Sequence, residues 1–268
     1  MNEYSFKIKG EVKMKGKTVI VTGGSNGMGK YMAKRFADEG ANVVITGRNE
    51  ERLLKAKGWM EETATGKVHT FSMDVRNLED VERMVEETVE TFGKIDFLVN
   101  NAAGNFIVNA EDLSVNGWNA VIDIVLNGTF YCSQAVGKYW IENNIQGVIL
   151  NMVATYAWDA GAGVVHSAAA KAGVLSLTRT LAVEWGTKYG IRVNAIAPGP
   201  IERTGGAEKL MLSEEMAERT RLSIPLKRFG KPEEIAGLAS FLLSEDAAFI
   251  NGEVVTMDGG QWLNPLPF

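Results

Sequence analysis

Seven short apolar runs alternate with helical patterns along the whole chain, and this alternation limits the possible folds more than any other feature. The runs do not alternate strictly between apolar and polar residues, which is typical of strands buried on both faces. Repeated strand–helix units form a parallel sheet with helices on both faces. The sequence therefore predicts an α/β fold with a doubly wound, seven-stranded parallel sheet. The predicted strands are Thr18–Gly23, Asn42–Gly47, Val68–Val75, Asp96–Asn101, Gly147–Met152, Ile191–Gly199 and Glu253–Gly260.

A glycine-rich loop, TGGSNGMGK at residues 22–30, joins the first predicted strand to a helix beginning near Gly27. Its glycines permit a tight turn and a close approach of the backbone to a pyrophosphate, which the N–H groups of the helix would face. Because the loop directly follows the first strand, it predicts a dinucleotide site in a single-domain Rossmann fold. The predicted contacts in this loop are Gly23, Ser25, Asn26, Gly27, Met28 and Gly29.

The end of the second predicted strand bears on which dinucleotide binds. A site for NAD places a carboxylate here for the ribose hydroxyls, whereas this chain has Gly47 and Arg48. A guanidinium pairs with a 2′-phosphate, which a carboxylate would repel. Glu50 and Glu51 follow closely and soften the distinction. We expect NADP(H), with Arg48 at the 2′-phosphate and Asp74 as an acceptor for the adenine amine; a solvated loop charge and a helix N-cap are the alternatives.

No proline- or glycine-rich linker divides the chain, which predicts one domain. We expect residues 1–14 to form an N-terminal extension and residues 15–268 to form the dinucleotide-binding domain. The widest irregular stretch, residues 201–223, follows a strand and should lie over the carboxyl edge of the sheet, where ligands bind in this architecture. A substrate loop that acts as a lid is the favoured interpretation, and a plain surface excursion is the alternative.

Composition excludes several classes of protein. The net charge of −5 argues against a nucleic-acid surface. No apolar run reaches the roughly 18 residues that cross a bilayer. The single cysteine, Cys132, follows apolar residues and is interpreted as a buried small hydrophobe in a reducing cytoplasm. Two histidines and one cysteine, far apart, predict no metal site.

Several motifs resemble the short-chain dehydrogenase/reductase superfamily over about residues 15–262. Together they are specific for it, and they also fix which segments should hold the nicotinamide. They are the cofactor loop Thr22–Gly29, the strand end NNAAG at Asn100–Gly104, the segment NAIAPGPI at Asn194–Ile201 and the C-terminal strand FINGEVVTMDGG at Phe249–Gly260.

The usual active site of that superfamily is only partly present. It pairs a tyrosine with a lysine four residues later, helped by a serine and an asparagine. Lys171 matches the lysine, but the tyrosine position is Ser167, the serine position is Ala154 and the asparagine position is Val125. Asn127 lies two residues further on, and a shift of two residues turns a side chain by roughly 200° around a helix, so it should not be a substitute.

These departures favour a different reaction over an inactive site. The serine hydroxyl is too weak an acid and too short to protonate the alkoxide that ketone reduction forms. When a conjugated double bond is reduced, charge collects instead on a thioester oxygen that needs preorganised donors. Tyr156 lies fifteen residues before Lys171, and this spacing resembles the 2,4-dienoyl-CoA reductase branch of the superfamily, in its bacterial type, whose catalytic tyrosine has the same separation. Asn105 matches an asparagine that shares the substrate oxygen with that tyrosine.

The resemblance implies NADPH-dependent reduction of 2,4-dienoyl-CoA to 3-enoyl-CoA in the β-oxidation of unsaturated fatty acids. Hydride would add to the δ-carbon, and Tyr156 and Asn105 would stabilise the dienolate. Lys171 would hold the nicotinamide ribose, and Ser167 would leave room for the acyl chain or simply pack. Water and Tyr156 stay open as the proton donor. A homotetramer is also implied.

Further residues are assigned by the same resemblance. The implied cofactor contacts are Asn101, Ala102, Lys171, Pro198, Gly199 and Ile201, and the implied contacts with the acyl-CoA are Arg76, Phe106, Ser114 and Lys209. His166 is about 100° from Ser167 around a helix, so it cannot share the face of Lys171 and is interpreted as a structural or pocket-edge residue.

Two other functions fit parts of the pattern. One is a carbonyl or 3-oxoacyl thioester reductase of the same superfamily, which the absence of a tyrosine at position 167 disfavours. The other is a catalytically dead NADP(H) sensor, which the intact Lys171 and the phenol of Tyr156 disfavour.

Overall fold

The computed structural model describes residues 14–205 and 213–264. Within these residues, seven strands form one parallel sheet in the order β3-β2-β1-β4-β5-β6-β7, which confirms the predicted α/β architecture. The strands are β1 Thr18–Val21, β2 Asn42–Gly47, β3 Val68–Ser72, β4 Phe97–Asn100, β5 Val148–Met152, β6 Arg192–Pro198 and β7 Val254–Met257.

Helices cover both faces of this sheet. One π-helical turn, Asp123–Asn127, joins the fourth helix to the fifth, and short 3₁₀ turns occur at Ala110–Asp112, Thr155–Ala157, Glu245–Ala247 and Gln261–Leu263. The described α-helices are α1 Gly27–Asp38, α2 Glu50–Glu61, α3 Leu78–Phe92, α4 Val115–Ile122, α5 Gly128–Glu142, α6 Val165–Tyr189, α7 Glu214–Ser223 and α8 Pro232–Leu243. None of them is long and apolar enough to cross a membrane.

The order of the strands reverses between β1 and β4. The chain runs outward from β1 through β2 and β3, then returns to pair β4 with the opposite side of β1 at Val21 and Val99. Connections on the two sides therefore leave the sheet in opposite directions, which opens a crevice at the carboxyl ends of these strands. The loops after β1, β4 and β5 all reach this crevice.

The core lies in two main layers, one on each face of the sheet. One layer contains Phe36 of α1 and Leu53 of α2, and the other contains Met84 of α3 and Trp140 of α5. The indole Nε1 of Trp140 donates a hydrogen bond to the Ile95 carbonyl at 2.8 Å, so this large side chain is held in one orientation.

The predicted boundary of the N-terminal extension was one residue too late. Met14 was assigned to the extension at 1–14, but its side chain is only 2% exposed and packs in the same layer as Phe36. Its backbone N–H also donates to the Glu39 carbonyl at 3.2 Å. The folded domain therefore includes Met14, while residues 1–13 lie outside the described residues.

The segment 201–223, predicted to be irregular, contains a helix. Helix α7 starts after Ser213, whose side chain accepts a hydrogen bond from the Met216 backbone N–H at 3.2 Å. Glu214 and Glu215 lie in its first turn, where their negative charge stabilises the helix by interacting with the positive end of its dipole. A serine cap followed by two acids is a sequence signal for a helix start, and the sequence analysis missed it. Residues 206–212 lie outside the described part of the chain.

Gly147, immediately before β5, should not tolerate a methyl group. A Cβ there would lie 2.2 Å from the fixed Trp140 ring. We expect Gly147→Ala to lower the free energy of unfolding by about 1–3 kcal/mol, the usual cost of overpacking. Gly58 in α2 is a matched control, because a Cβ there meets no atom within 4 Å; Gly58→Ala should add about 0.5–1 kcal/mol. Urea unfolding measures both, and equal midpoints for the two variants would contradict this packing.

Candidate active site

Hydrogen bonds join the end of β1 to the end of β4 at the crevice. The Thr22 hydroxyl accepts from the backbone N–H groups of Asn101 and Ala102, both at 3.0 Å. The Asn101 side-chain amide donates to the carbonyls of Thr22 and Gly23 at 3.0 and 3.1 Å. Asn101, predicted as a cofactor contact, thus braces the glycine-rich loop with its side chain. The role of Thr22 was not anticipated.

The glycine-rich loop has the shape that a pyrophosphate requires. Gly23 and Gly27 adopt φ of +65° and +50°, a region that favours glycine. A Cβ on Gly29 would lie 2.3 Å from the Asn101 amide nitrogen and 2.6 Å from the Gly23 carbonyl oxygen. Asn26 caps α1 by accepting from the Gly27 N–H at 2.8 Å. Met28 packs against the core, and Ser25 lines the cleft beside the loop. These residues fit a dinucleotide.

Two arginines line the cleft where the adenosine end of such a dinucleotide would lie. They are Arg48, which was predicted, and Arg52, which was not. Neither forms an ion pair with another described residue, whereas Glu51 is occupied by Lys55 at 2.7 Å. Of the two carboxylates expected to weaken an anion site, Glu51 is thus paired with a cation on the surface. Arg52 enters the cleft because it lies in the first turn of α2, where Asn49 caps its backbone N–H at 2.9 Å.

Asp74 and Arg76, predicted to contact different ligands, bind each other. The Arg76 guanidinium donates to the Asp74 carboxylate at 3.0 Å through Nε and 2.6 Å through Nη2. This side-chain hydrogen bond holds the pKa of Asp74 below its usual range. Asp74 still lines the cleft that holds the arginines. A ligand at either residue would therefore act on both.

Three predicted residues meet at the end of β5. Ser167 and Lys171 lie one turn apart on α6 and are 1% and 7% exposed. Lys171 Nζ donates to the Met152 carbonyl at 2.5 Å. The Tyr156 hydroxyl lies 3.1 Å from the Ser167 hydroxyl. The sequence therefore identified a cluster that the fold brings together.

Burial sets the protonation of this cluster. It raises the pKa of the Tyr156 phenol above its ordinary value of 10.0, and the hydrogen bond with Ser167 opposes this only in part. It also lowers the pKa of Lys171 to about 8. At neutral pH the phenol keeps its proton and can donate a hydrogen bond, while the lysine stays cationic.

The loop after β4 carries Asn105 toward the same region. The Val108 backbone N–H donates to the Gly163 carbonyl at 3.0 Å, which joins this loop to the segment between Tyr156 and α6. Asn105 Oδ1 accepts from the Phe106 N–H at 2.9 Å. Its Nδ2 group has no hydrogen-bond partner among the described residues, so it is a free donor on the loop that this bond ties to the segment before α6.

Two of the three positions that depart from the superfamily pattern are apolar and buried. Ala154 is at the end of β5, and Val125 lies inside the π-helical turn. Asn127 donates to the Asp123 carboxylate at 2.8 Å, so its amide serves the turn itself. As predicted, it does not take the place of the asparagine missing at position 125.

The structure gives the remaining predicted contacts mainly local hydrogen bonds. Ser114 caps α4 by accepting from the Gly117 N–H at 3.0 Å. Gly199, after Pro198, donates its N–H to the Met257 carbonyl at 3.0 Å, and Ile201 bridges to Gly230. Lys209 lies outside the described residues.

The one cysteine lies outside the cluster of Tyr156, Ser167 and Lys171. Cys132 is buried as predicted, and burial raises the pKa of its thiol to about 12. No group of three or more histidine, cysteine or acidic side chains suited to a metal occurs within residues 14–205 and 213–264.

The fold and the crevice thus define a dinucleotide-binding oxidoreductase, and comparisons with known proteins place it more narrowly. The profile of a family described as Enoyl-(Acyl carrier protein) reductase matches residues 23–261. A Bacillus subtilis protein named "Probable 2,4-dienoyl-CoA reductase [(2E)-enoyl-CoA-producing]" is 66% identical over 255 residues, covering 95% of this chain and 100% of that protein. A Caenorhabditis elegans protein named "Probable 2,4-dienoyl-CoA reductase decr-1.2 [(3E)-enoyl-CoA-producing]" is 41% identical over 92% of this chain and 81% of its own.

A solved structure is similar over the same range. It is a short-chain dehydrogenase from Bacillus anthracis, 65% identical, with a TM-score of 0.87 over 95% of this chain and 100% of that chain. The chain belongs to the short-chain dehydrogenase/reductase family, as its motifs predicted, and that family binds a nicotinamide cofactor.

Dinucleotide affinity should depend on the charge of Lys171. Because burial lowers its pKa to about 8, we expect affinity to fall by up to about tenfold between pH 7 and 9 as the lysine loses its proton. Fluorescence titration of the bound nicotinamide measures this change. Lys171→Met should bind weakly at both pH values, and an equal pH-dependent fall in that variant would contradict the assignment to Lys171.

Proposed function

We propose that this chain reduces 2,4-dienoyl-CoA thioesters with NADPH. The observation that carries the proposal is the phenol of Tyr156, protonated at neutral pH and 3.1 Å from Ser167, above the buried Lys171. A ketone reductase of this family needs a phenol at position 167, where this chain has a serine. Its phenol comes instead from Tyr156, where it can donate to a thioester oxygen in the proposed reaction. The printed names of both relatives support this reaction class.

The chain's own residues bind and polarise the substrate. When bound, NADPH supplies hydride to the δ-carbon of the acyl chain. The Tyr156 hydroxyl and the free Asn105 Nδ2 donate hydrogen bonds to the thioester oxygen, which gains negative charge as the dienolate forms. Lys171 holds the nicotinamide ribose and adds positive potential. Ser167 orients the phenol and leaves space for a flat acyl chain.

The two relatives differ in the product that their names give, 2-enoyl for the bacterial protein and 3-enoyl for the nematode protein. Protonation of the dienolate at the α-carbon yields the 3-enoyl isomer, and protonation at the γ-carbon yields the 2-enoyl isomer. We propose the 3-enoyl product, because both donors surround the thioester oxygen, next to the α-carbon. In D₂O the deuterium should then appear at C2; deuterium at C4 would replace this assignment with the other isomer.

The cofactor is NADPH in this proposal because Arg48 and Arg52 line the cleft and have no ion-pair partner within the described part of the chain. Arg76, Phe106, Ser114 and Lys209 are proposed to contact the acyl-CoA, and Pro198, Gly199 and Ile201 the nicotinamide. Asp74 accepts from the adenine amine or positions Arg76. The reaction belongs to β-oxidation of unsaturated fatty acids in the cytoplasm.

A homotetramer is part of the same proposal. Exposed apolar side chains lie on three consecutive helices: Val115 on α4, Phe130 on α5 and Val183 on α6. Covering them against other copies of the chain would remove this apolar surface from water.

Arg48 should select NADPH over NADH. A charge-assisted hydrogen bond contributes about 1.5–3 kcal/mol, so Arg48→Ala should raise KM for NADPH by roughly 10- to 100-fold. KM for NADH should change little, since NADH lacks the 2′-phosphate. Lys55→Ala is the control. It also removes one positive charge, but from a residue of α2 that is already paired with Glu51. Steady-state kinetics with both cofactors tests this; parallel changes in the two KM values would count against Arg48.

Tyr156 should matter for kcat. Loss of one oxyanion donor lowers rates by about 10²–10³, so we expect Tyr156→Phe to lower kcat by roughly 10² or more while NADPH binding persists. Tyr189→Phe, at the exposed end of α6, is the matched control and should leave kcat unchanged. The assay follows NADPH oxidation with 2,4-hexadienoyl-CoA, and full activity in Tyr156→Phe would refute the mechanism.

The same assay separates the two alternative functions. A ketone reductase would oxidise NADPH with acetoacetyl-CoA, and a sensor would bind NADPH without oxidising it with either thioester. Turnover restricted to the dienoyl thioester is the expected result.

A further inference from the structure

One histidine is buried beside the proposed thioester site without satisfying its polar atoms. His166 is 0% exposed, and neither ring nitrogen has a hydrogen-bond partner among residues 14–205 and 213–264. The Val164 backbone is near enough to affect the imidazole but not in hydrogen-bond geometry. Leaving buried polar groups unpaired destabilises a fold, and an apolar side chain would avoid the penalty. An unpaired imidazole at this position therefore points to a partner supplied by a ligand.

The surroundings of His166 indicate where that ligand would lie. Its ring meets the edge of Phe106, with centroids 4.5 Å apart and planes at 64°. Phe106 follows Asn105 and is 39% exposed. On the other side, Ser167 is the next residue and contacts the Tyr156 hydroxyl at 3.1 Å. His166 thus lies between the two segments that carry the proposed donors.

Phe106 is the exposed side of this arrangement. It lies in the irregular segment between β4 and the 3₁₀ turn at Ala110–Asp112. Its ring also lies near Gly117 of α4, where a Cβ would be 3.0 Å away. A thin, flat ligand entering between this loop and α6 would displace the Phe106 ring and uncover the imidazole.

We propose that His166 is a further substrate-binding residue, whose imidazole N–H donates a hydrogen bond to a carbonyl oxygen of the acyl-thioester arm once that arm displaces Phe106. The inference rests on the proposed function. It assigns to His166 a role beyond the structural or pocket-edge role expected from sequence.

The imidazole acts here as a neutral donor. Burial lowers the pKa of His166 below its ordinary value of 6.5, so the ring is uncharged at neutral pH. A neutral imidazole holds its remaining proton too firmly to protonate the dienolate carbon, but it donates a hydrogen bond readily. No proton transfer is assigned to it.

The first test replaces the imidazole with a ring that keeps the packing and lacks the N–H. His166→Phe should be at least as thermally stable as the wild type, because two unpaired polar atoms are removed, and its NADPH affinity should be unchanged. We expect kcat/KM for 2,4-hexadienoyl-CoA to fall by about tenfold, the loss expected for one hydrogen bond. His166→Gln, which retains an N–H donor, should recover part of that loss.

The chain's other described histidine is the matched control. His69 on β3 is bound to Glu87 at 2.7 Å and is half-buried, far along the sheet from β5. His69→Phe should leave kcat/KM unchanged.

Every other outcome either supports or overturns the substrate-binding role of His166. Wild-type kcat/KM in His166→Phe would show that the residue only packs. If the Phe variant does not fold, His166→Leu and His166→Gln replace it; a higher kcat/KM in Gln supports the inference and equal values overturn it. A wild-type chain that does not oxidise NADPH with 2,4-hexadienoyl-CoA overturns the proposed function itself, and this is seen before any variant is compared.

Discussion

The site depends on the hydrogen bonds that link the carboxyl ends of β1 and β4 across the crevice. These strands are neighbours, but their connections leave on opposite faces, so the sheet alone would leave an open gap at their carboxyl ends. The Thr22 hydroxyl and the Asn101 amide span this gap with four hydrogen bonds of about 3 Å. They fix the glycine-rich loop on one side and start the Asn105 loop on the other. Both halves of the proposed site therefore take their position from the same few polar atoms.

A second constraint is the burial of charged and hydrogen-bonding side chains. Their burial lowers the stability of the folded chain, but it leaves them available to bind cofactor and substrate in the proposed function. Burying the Lys171 ammonium destabilises the folded chain, because loss of hydration lowers its pKa from an ordinary 10.5 to about 8. Between these values the unfolded chain holds the proton and the folded chain does not. The folded state is therefore fully destabilised below pH 8, and this destabilisation is relieved as pH rises from 8 toward 10.5. Cofactor binding needs the opposite, a charged lysine. His166 has the same character in the proposal: its buried ring nitrogens lack partners among the described residues, and the proposed acyl-thioester contact would supply one.

Sequence analysis predicted the sheet well because each buried strand is a short apolar run that local pattern alone identifies. Asn42–Gly47 was placed at its observed limits, and the Tyr156, Ser167 and Lys171 cluster followed from spacing. What it missed depends on tertiary contacts and on side-chain directions, which local pattern does not fix. Met14 packs in the core, where its backbone N–H reaches the distant Glu39 carbonyl. The pairing of Asp74 with Arg76 is a choice of side-chain direction. Arg52 was missed because its role appears only when α2 is oriented by the Asn49 cap.

The departures from the superfamily pattern are best understood together. A tyrosine at position 167 would carry its phenol on α6 itself, one turn from Lys171. Here the phenol comes from the 3₁₀ turn after β5 and reaches Ser167 from outside the helix. The small serine makes room for it, and the buried Ala154 and Val125 add no competing polar group nearby. The donor is thereby held by the chain that follows the strand rather than by the lysine's helix. In the proposed reaction, charge collects on a thioester oxygen several atoms from the carbon that receives hydride, and a donor held outside the lysine's helix suits that separation.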